Sequence, residues 1–265
     1  YDITTLYIII SLQFDIQDYQ NHRRIRCERY TDGGIKPVVM PVLYGGVSTI
    51  EGFNEFFSNS GYKEIIVVDA AHCIAPTIKS DYIFFSFHPI KPVAMGSGGV
   101  LATDDAEANN YIRRYRNFGR EDIGDSYDIV DNGFNFYMNN LNATLGLSQL
   151  STCFENVKIR KKHFEYLKDK IHIRVGSFVE HDHHSSYYLS TLVLKSISSA
   201  SLRQGLRDSG LCASFHYPFL HKTKLFSSAY SLSRIESLED RIINLPIHQN
   251  LKKEDLDDII KTVNS

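Results

Sequence analysis

Several things are scarce in this chain. Its four cysteines, Cys27, Cys73, Cys153 and Cys212, are widely spaced and include no C-x-x-C pair. That argues against a zinc site and fits thiols in a cytoplasmic, reducing setting. No long apolar run is present. Residues 5–12 are apolar but too short to span a bilayer, and they lack the basic leader and small-residue cleavage site of a signal peptide, so they read as a strand. Neither sign of charge dominates: the net charge is −2, which gives no broad pull toward nucleic acid or an anionic membrane. The basic run at residues 158–162 reads as the solvated face of a helix. There is no internal repeat and no low-complexity linker. No methionine precedes Met40 and the chain begins at Tyr1, the mark of a fragment, a processed product or an incomplete gene.

What is present is an ordinary globular composition: 265 residues, 43% hydrophobic and 23% charged, enough for one large domain or two smaller ones. Short apolar runs at residues 36–43, 64–68 and 82–87 and at Gly99–Thr103 read as strands, the first ending at Tyr44-Gly45-Gly46. Ser48 and Glu51 have capping-box form ahead of Ile50, Phe53 and Phe57, with Gly61 as the stop. Asp104-Asp105-Ala106-Glu107 caps a helix running to about Asn117. This alternation predicts an α/β domain over residues 1–138 with a largely parallel sheet. From Asn139 the pattern changes. Leu141, Leu145, Leu147, Leu150 and Phe154 lead into one long helix reaching Leu167. A strand at residues 187–194, a helix at 199–210 closed by Gly210, an extended stretch at 215–220 and a helix at 253–263 follow. Residues 139–265 therefore read as a linking helix and a smaller α+β domain.

Two strand ends carry the chemistry. Ile65-Ile66-Val67-Val68 runs into Asp69-Ala70-Ala71-His72, and Phe84-Phe85-Ser86-Phe87 runs into His88-Pro89-Ile90-Lys91. Strand carboxyl ends are where α/β sheets place ligands. Lys91 is either a surface charge or an amine held in an apolar cleft, whose depressed pKa makes it a nucleophile. Asp69 is either a helix cap or the partner of a pyridinium nitrogen, and Lys91 nearby favours the second. His72 reads as a pocket residue or a core histidine. Ser86 can donate its hydroxyl to a phosphate. Gly96-Ser97-Gly98-Gly99 cradles a phosphate or, the better reading, lets the chain pass close to the site. His181, Asp182, His183 and His184 lack a second ligand cluster, which argues against metal. His216 and His221, which flank Tyr217-Pro218-Phe219-Leu220, line a substrate cleft or cap a strand.

These residues, taken in order, resemble the DegT/DnrJ/EryC1/StrS sugar aminotransferases. The likeness is carried by Val67-Val68-Asp69-Ala70-Ala71-His72, Ser86-Phe87-His88-Pro89-Ile90-Lys91 and the Gly96 to Gly99 turn. It continues through Arg116-Asn117-Phe118-Gly119, Gly133-Phe134-Asn135-Phe136-Tyr137-Met138, Ala143-Thr144-Leu145-Gly146-Leu147-Ser148-Gln149-Leu150, His216-Tyr217-Pro218 and Leu245-Pro246. The resemblance implies the type I fold of pyridoxal 5′-phosphate (PLP)-dependent transferases (aspartate aminotransferase-like), lacking an amino-terminal portion that holds a Ser-Gly-Thr phosphate loop and a ring-stacking aromatic. It implies a cytoplasmic homodimer that passes an amine from glutamate to a nucleotide-linked keto-deoxysugar, a 4-keto-6-deoxyhexose, for surface polysaccharide or glycan synthesis. Lys91 matches the Schiff-base lysine, Asp69 the pyridine-nitrogen partner, His72 the residue near the phenolic oxygen and Ser86 a phosphate ligand. Asn135 matches an asparagine that reaches the partner subunit's cofactor phosphate. His88, His216 and Tyr217 are the substrate-side candidates. Ser97, Tyr137 and Val42 stand where the family usually has Glu, Arg and His. The rival readings are another type I PLP enzyme, or a shortened non-catalytic relative that pairs with a full-length partner.

Overall fold

The computed structural model describes residues 8–10, 38–50, 52–59, 64–226 and 232–265. It divides into two compact units, Tyr1–Ser151 and Thr152–Ser265. The division falls between two helices, whereas the sequence placed a boundary at residue 139.

The first unit is built on a five-stranded sheet in the order β1 (Ile8–Ile10), β2 (Val38–Pro41), β3 (Ile65–Asp69), β4 (Tyr82–Ser86) and β5 (Gly99–Thr103). The first four strands are parallel and β5 returns antiparallel to β4, pairing Ser86 with Gly99. The sheet is thus α/β and mostly parallel. Gly99 sits so close to β4 that a Cβ there would lie 2.5 Å from the Phe85 carbonyl oxygen, an approach that a side chain would block. Side chains alternate across the sheet. Val39, Val68 and Ala70 are buried in a core with Leu43, Val47, Ile50 and Phe53, and Ile66, Ile83 and Phe85 pack against it. Val67, Asp69, Phe84 and Ser86 therefore point to the opposite face.

Helix α1 (Phe53–Asn59) starts later than the capping-box reading required. Ser48 is buried and its carbonyl accepts from Thr77, while Glu51 and Gly61 lie outside the described residues. Helix α2 (Ala106–Tyr115) is capped as expected: Asp105 accepts from the Ala108 N–H at 3.0 Å. A two-stranded hairpin, β6 (Arg120–Ile123) and β7 (Ser126–Ile129), follows it.

The single long helix expected from residue 141 to 167 is two helices, α3 (Asn140–Leu150) and α4 (Cys153–Lys170). Ser151 ends α3 and Thr152, at φ −115° and ψ −5°, is the N-cap of α4, so the chain stays near helical angles while the helix itself is divided. The second unit sets α4, α5 (Ser199–Asp208), the short α6 (Ser233–Glu236) and α7 (Lys253–Asn264) with an antiparallel sheet. The sheet order is β10 (Ile242–Leu245), β9 (Ser190–Leu194), β8 (Gly176–Phe178). Its core joins Phe164 and Leu167 of α4, Leu202 and Leu206 of α5, Ile259 and Val263 of α7, and Leu192 and Ile243 of the sheet. Gly210, at φ 76°, turns the chain off α5 as expected. Tyr187 takes φ 46° and starts β9 late, at Ser190.

Candidate active site

Parallel pairing places the carboxyl ends of β3 and β4 side by side, with Asp69 opposite Phe84. Past β4 the chain forms a loop whose neck is tied by backbone bonds: Phe87 N–H to Gly98 O at 2.9 Å and Met95 N–H to Phe87 O at 3.1 Å. Buried Val93 and Met95 anchor it. Within the loop a turn from His88, closed by the Lys91 N–H on the His88 carbonyl at 2.9 Å, presents Lys91.

Asp69 and Lys91 act on each other electrostatically. Burial pushes the Asp69 carboxyl above its ordinary range; the Ala71 N–H and then the Lys91 charge partly offset this. Burial pushes the Lys91 ammonium below its ordinary range, and Asp69 partly offsets that. Both groups are thus partly shielded from water and lie close enough for each to feel the other's charge. Asp69 Oδ1 accepts from the Ala71 N–H at 2.9 Å. Its Oδ2 accepts no hydrogen bond from the described residues.

His72 is buried beside this pair. Its Nδ1 accepts from the Gly45 N–H at 3.2 Å, which fixes the proton of the neutral ring on Nε2. Gly45 reaches that position through φ 72°, a conformation favouring glycine, and the Tyr44 ring lies 5.8 Å from the His72 ring. Tyr44 and Gly45 were read from the sequence only as a strand end; a Tyr-Gly-Gly turn directly after a parallel strand was the available signal. Ser86 is half-buried at the end of β4, and its Oγ accepts from the His88 N–H at 3.4 Å, leaving its own proton to donate.

Asp69, His72, Ser86 and Lys91 thus lie at or just past the carboxyl ends of β3 and β4, with His88 exposed on the Lys91 loop. Asn135 stands apart, exposed on a segment bridged to Asn117. His216 and Tyr217 belong to the second unit. There His216 Nδ1 lies 3.2 Å from both Ser214 Oγ and Asn244 Nδ2, and Thr191 Oγ1 donates to Asn244 Oδ1 at 2.6 Å. Tyr217 is exposed. His181 is a packing residue: it is stacked 4.5 Å from Tyr187, and its Nε2–H donates to the Leu189 carbonyl at 3.0 Å. Among the described residues, no three His, Cys, Asp or Glu side chains form a metal-ligand group.

The sequence profile of the DegT/DnrJ/EryC1/StrS aminotransferase family matches residues 27–264. The chain belongs to this family. Among curated relatives it is 27% identical over 190 residues to the UDP-4-amino-4,6-dideoxy-N-acetyl-beta-L-altrosamine transaminase of Helicobacter pylori, covering 68% of this chain and 50% of that one. It is 24% identical over 255 residues to the spore coat polysaccharide biosynthesis protein SpsC of Bacillus subtilis, covering 85% and 65%. The chain therefore spans about half to two thirds of the length of these relatives. A family aminotransferase of Brucella abortus matches the fold with a TM-score of 0.80 at 20% identity, over 97% of this chain and 72% of that one. A sugar aminotransferase of Streptococcus pneumoniae, solved in a PLP form, matches with a TM-score of 0.74 at 22% identity, over 86% and 67%. At these identities the structural likeness establishes the fold, that of the type I transferases.

Proposed function

We propose that this chain carries the lysine-bearing site of a PLP-dependent aminotransferase that moves an amine from glutamate to a nucleotide-linked keto-deoxysugar, a 4-keto-6-deoxyhexose, for polysaccharide or glycan synthesis. The observation that carries the reading is that parallel pairing sets the carboxyl ends of β3 and β4 side by side, with Asp69 on one and the turn bearing Lys91 after the other, where each group feels the other's charge. These residues fit the cofactor. A half-buried carboxylate with one oxygen bare among the described residues is what a pyridinium N–H requires, and the amine beyond it has a lowered proton affinity.

When bound, PLP supplies an electron sink that labilises the proton on the substrate's amine-bearing carbon. Asp69 Oδ2 would hold the proton on the ring nitrogen while Oδ1 stays on the Ala71 N–H. Lys91 would hold the cofactor through its Nζ and, once displaced by the amino donor, carry the proton to and from the substrate carbon. Its depressed pKa raises the fraction of neutral amine near neutral pH. His72, with its proton fixed on Nε2, would face the ring's phenolic oxygen. The Ser86 hydroxyl would donate to the phosphate. Asn135 would reach the phosphate of a second subunit's cofactor, and His88, His216 and Tyr217 would face the substrate.

A homodimer is part of the proposal. It is supported by large apolar side chains left open in the first unit, among them Phe136, Leu141 and Leu147. A cytoplasmic setting is supported by Cys73, Cys153 and Cys212, none of which is in a disulfide. No described helix is long and apolar enough to cross a membrane.

The test is colour and covalent trapping. Purified protein mixed with PLP should gain visible absorbance that borohydride bleaches, with the reduced adduct found by peptide mass on Lys91. Lys91→Ala should give neither colour nor adduct. A wild-type protein that stays colourless would overturn the enzymatic reading in favour of a non-catalytic relative that pairs with a full-length partner.

A further inference from the structure

The first unit holds a second concavity, of about 580 Å³, lined by Arg113, Arg114, Arg116, Arg120 and Tyr137. Asp69, His72, Ser86 and Lys91 are not among its lining residues. Four guanidinium groups around one space repel one another unless an anion lies between them. Two carboxylates, Glu121 and Asp122, also line the cavity. Yet no described carboxylate comes within ion-pair distance of any of the four arginines. Among the described residues, the one side-chain acceptor these arginines meet is neutral: Arg113 Nε donates to Asn109 Oδ1 at 3.2 Å.

The Nε atoms of Arg114 and Arg120 are closed off from solvent, with no hydrogen-bond partner among the described residues, so an anion in the cavity would be met by the outer nitrogens of these two forks. Arg120 is also held in place: its guanidinium lies 4.2 Å from the Tyr127 ring centre and 5.1 Å from that of Phe118. Stacking of this kind orients the planar fork before any ligand arrives. A simpler account covers part of the cluster, since Arg113 and Arg114 lie in the last turn of α2, where cations complement the helix dipole. It does not cover Arg120, which comes from β6, nor the convergence of all four on one cavity.

We propose that this cavity binds the diphosphate of a nucleotide-linked sugar. Planar guanidinium forks match phosphate oxygens in pairs, and the volume lies in the range of small-ligand sites, well beyond a single phosphate. The half-exposed ring of Tyr137 gives the wall a flat apolar surface for the attached nucleoside or sugar. The inference rests on the substrate class proposed above, and it adds the place where that substrate's charge is read.

Calorimetric titration of the PLP-free chain with UDP, dTDP, GDP and inorganic pyrophosphate tests it without turnover. At least one nucleoside diphosphate should bind in a saturable way, more tightly than pyrophosphate, be displaced by pyrophosphate and weaken with added salt. Arg114→Gln and Arg120→Gln should each weaken that binding by about tenfold, a loss of the size expected for one charge-assisted contact. Arg120→Lys keeps the charge without the fork and should be weakened less. Lys158→Gln, on the surface of the other unit, should bind as wild type. Thermal melting checks that each variant is folded, and Arg114→Gln removes a cation outside the Phe118–Tyr127 stack. The proposal falls if no nucleotide binds, if folded Arg114→Gln binds like wild type, or if pyrophosphate binds as tightly as the nucleotides. Nucleotide binding in a protein that never colours with PLP would sink the aminotransferase reading alone. Colour without nucleotide binding would sink only this site.

Discussion

In the carboxy-terminal unit Leu192, Leu206, Ile243, Ile259 and Val263 are wholly buried, and helices and sheet close around them. In the amino-terminal unit the core on one side of the sheet is closed too, around Leu43 and Val68. Away from it Phe134, Phe136, Leu141, Leu147 and both strands of the β6–β7 hairpin remain open. The first arrangement is self-sufficient. The second keeps its chemistry, the Asp69–Lys91 pair and the arginine cavity, in the unit whose apolar surface is least covered. Exposed apolar patches of this kind mark places where something else packs. The contrast teaches that stability and function are unevenly shared: one unit is held by its own core, and the other offers surfaces to ligands and, in the proposed dimer, to a second copy.

The largest expected effect probes that contrast directly. Leu206→Ala should destabilise the carboxy-terminal unit by about 2–5 kcal/mol, since the buried side chain leaves a cavity. Leu147→Ala on α3, where the side chain is 68% exposed, should change stability by no more than about 0.5 kcal/mol at dilution. Urea unfolding followed by circular dichroism measures both. A large loss for Leu147→Ala would break the comparison, because it would mean that this helix face is covered in solution.

The ionisable groups of the two units should respond to acid in opposite directions. Burial pulls the His181 pKa below its ordinary 6.5, and the Leu189 carbonyl only partly restores it. The unfolded chain then binds the proton more readily, so stability present above pH 6.5 is lost as pH falls through the folded value. His181→Phe should flatten that loss in melting curves taken from neutral to mildly acidic pH. Asp69 behaves the other way. Its folded pKa is raised above 3.8, so its contribution is fully present below that value and is lost as pH rises through the folded one. Ionised at neutral pH, it weakens its unit. Asp69→Asn keeps an oxygen for the Ala71 N–H and removes the charge, so the melting temperature should rise slightly while transamination falls on the order of 100-fold or more. A variant that loses stability and keeps activity would place Asp69 among the structural residues.

The strands that carry the candidate site were easier to read from the sequence than other parts of the fold, for physical reasons. The apolar runs ending in Asp69 and Ser86, the first branched aliphatic and the second mostly aromatic, are short, continuous and bounded by turns, which is how covered parallel strands look. The Asp105 cap and the Gly210 stop were legible because each acts on the residues beside it. The break between α3 and α4 was not: Leu147, Leu150 and Phe154 keep a helical rhythm across Thr152, and all three are exposed here. The β6–β7 hairpin was hidden by Glu121, Asp122 and Asp128 along solvent-facing strands; its one local signal is Gly124, at φ 58° in the turn. The arginine cavity was out of reach because α2, β6 and Tyr137 must fold together before four nearby arginines face one space.

The smallest expected effect sharpens the comparison from its stable side. On the carboxy-terminal unit Lys168 Nζ lies 2.6 Å from Glu180 Oε2, a close contact for an ion pair. Both side chains are largely in water, so the attraction is screened and offset by the order imposed on two long side chains. Glu180→Gln should therefore lower the unfolding free energy by less than about 1 kcal/mol, and by still less in high salt. If the measured loss instead approached that of Leu206→Ala, the unit would owe its stability to its charged surface, and the contrast between a closed core and an open one would need another cause.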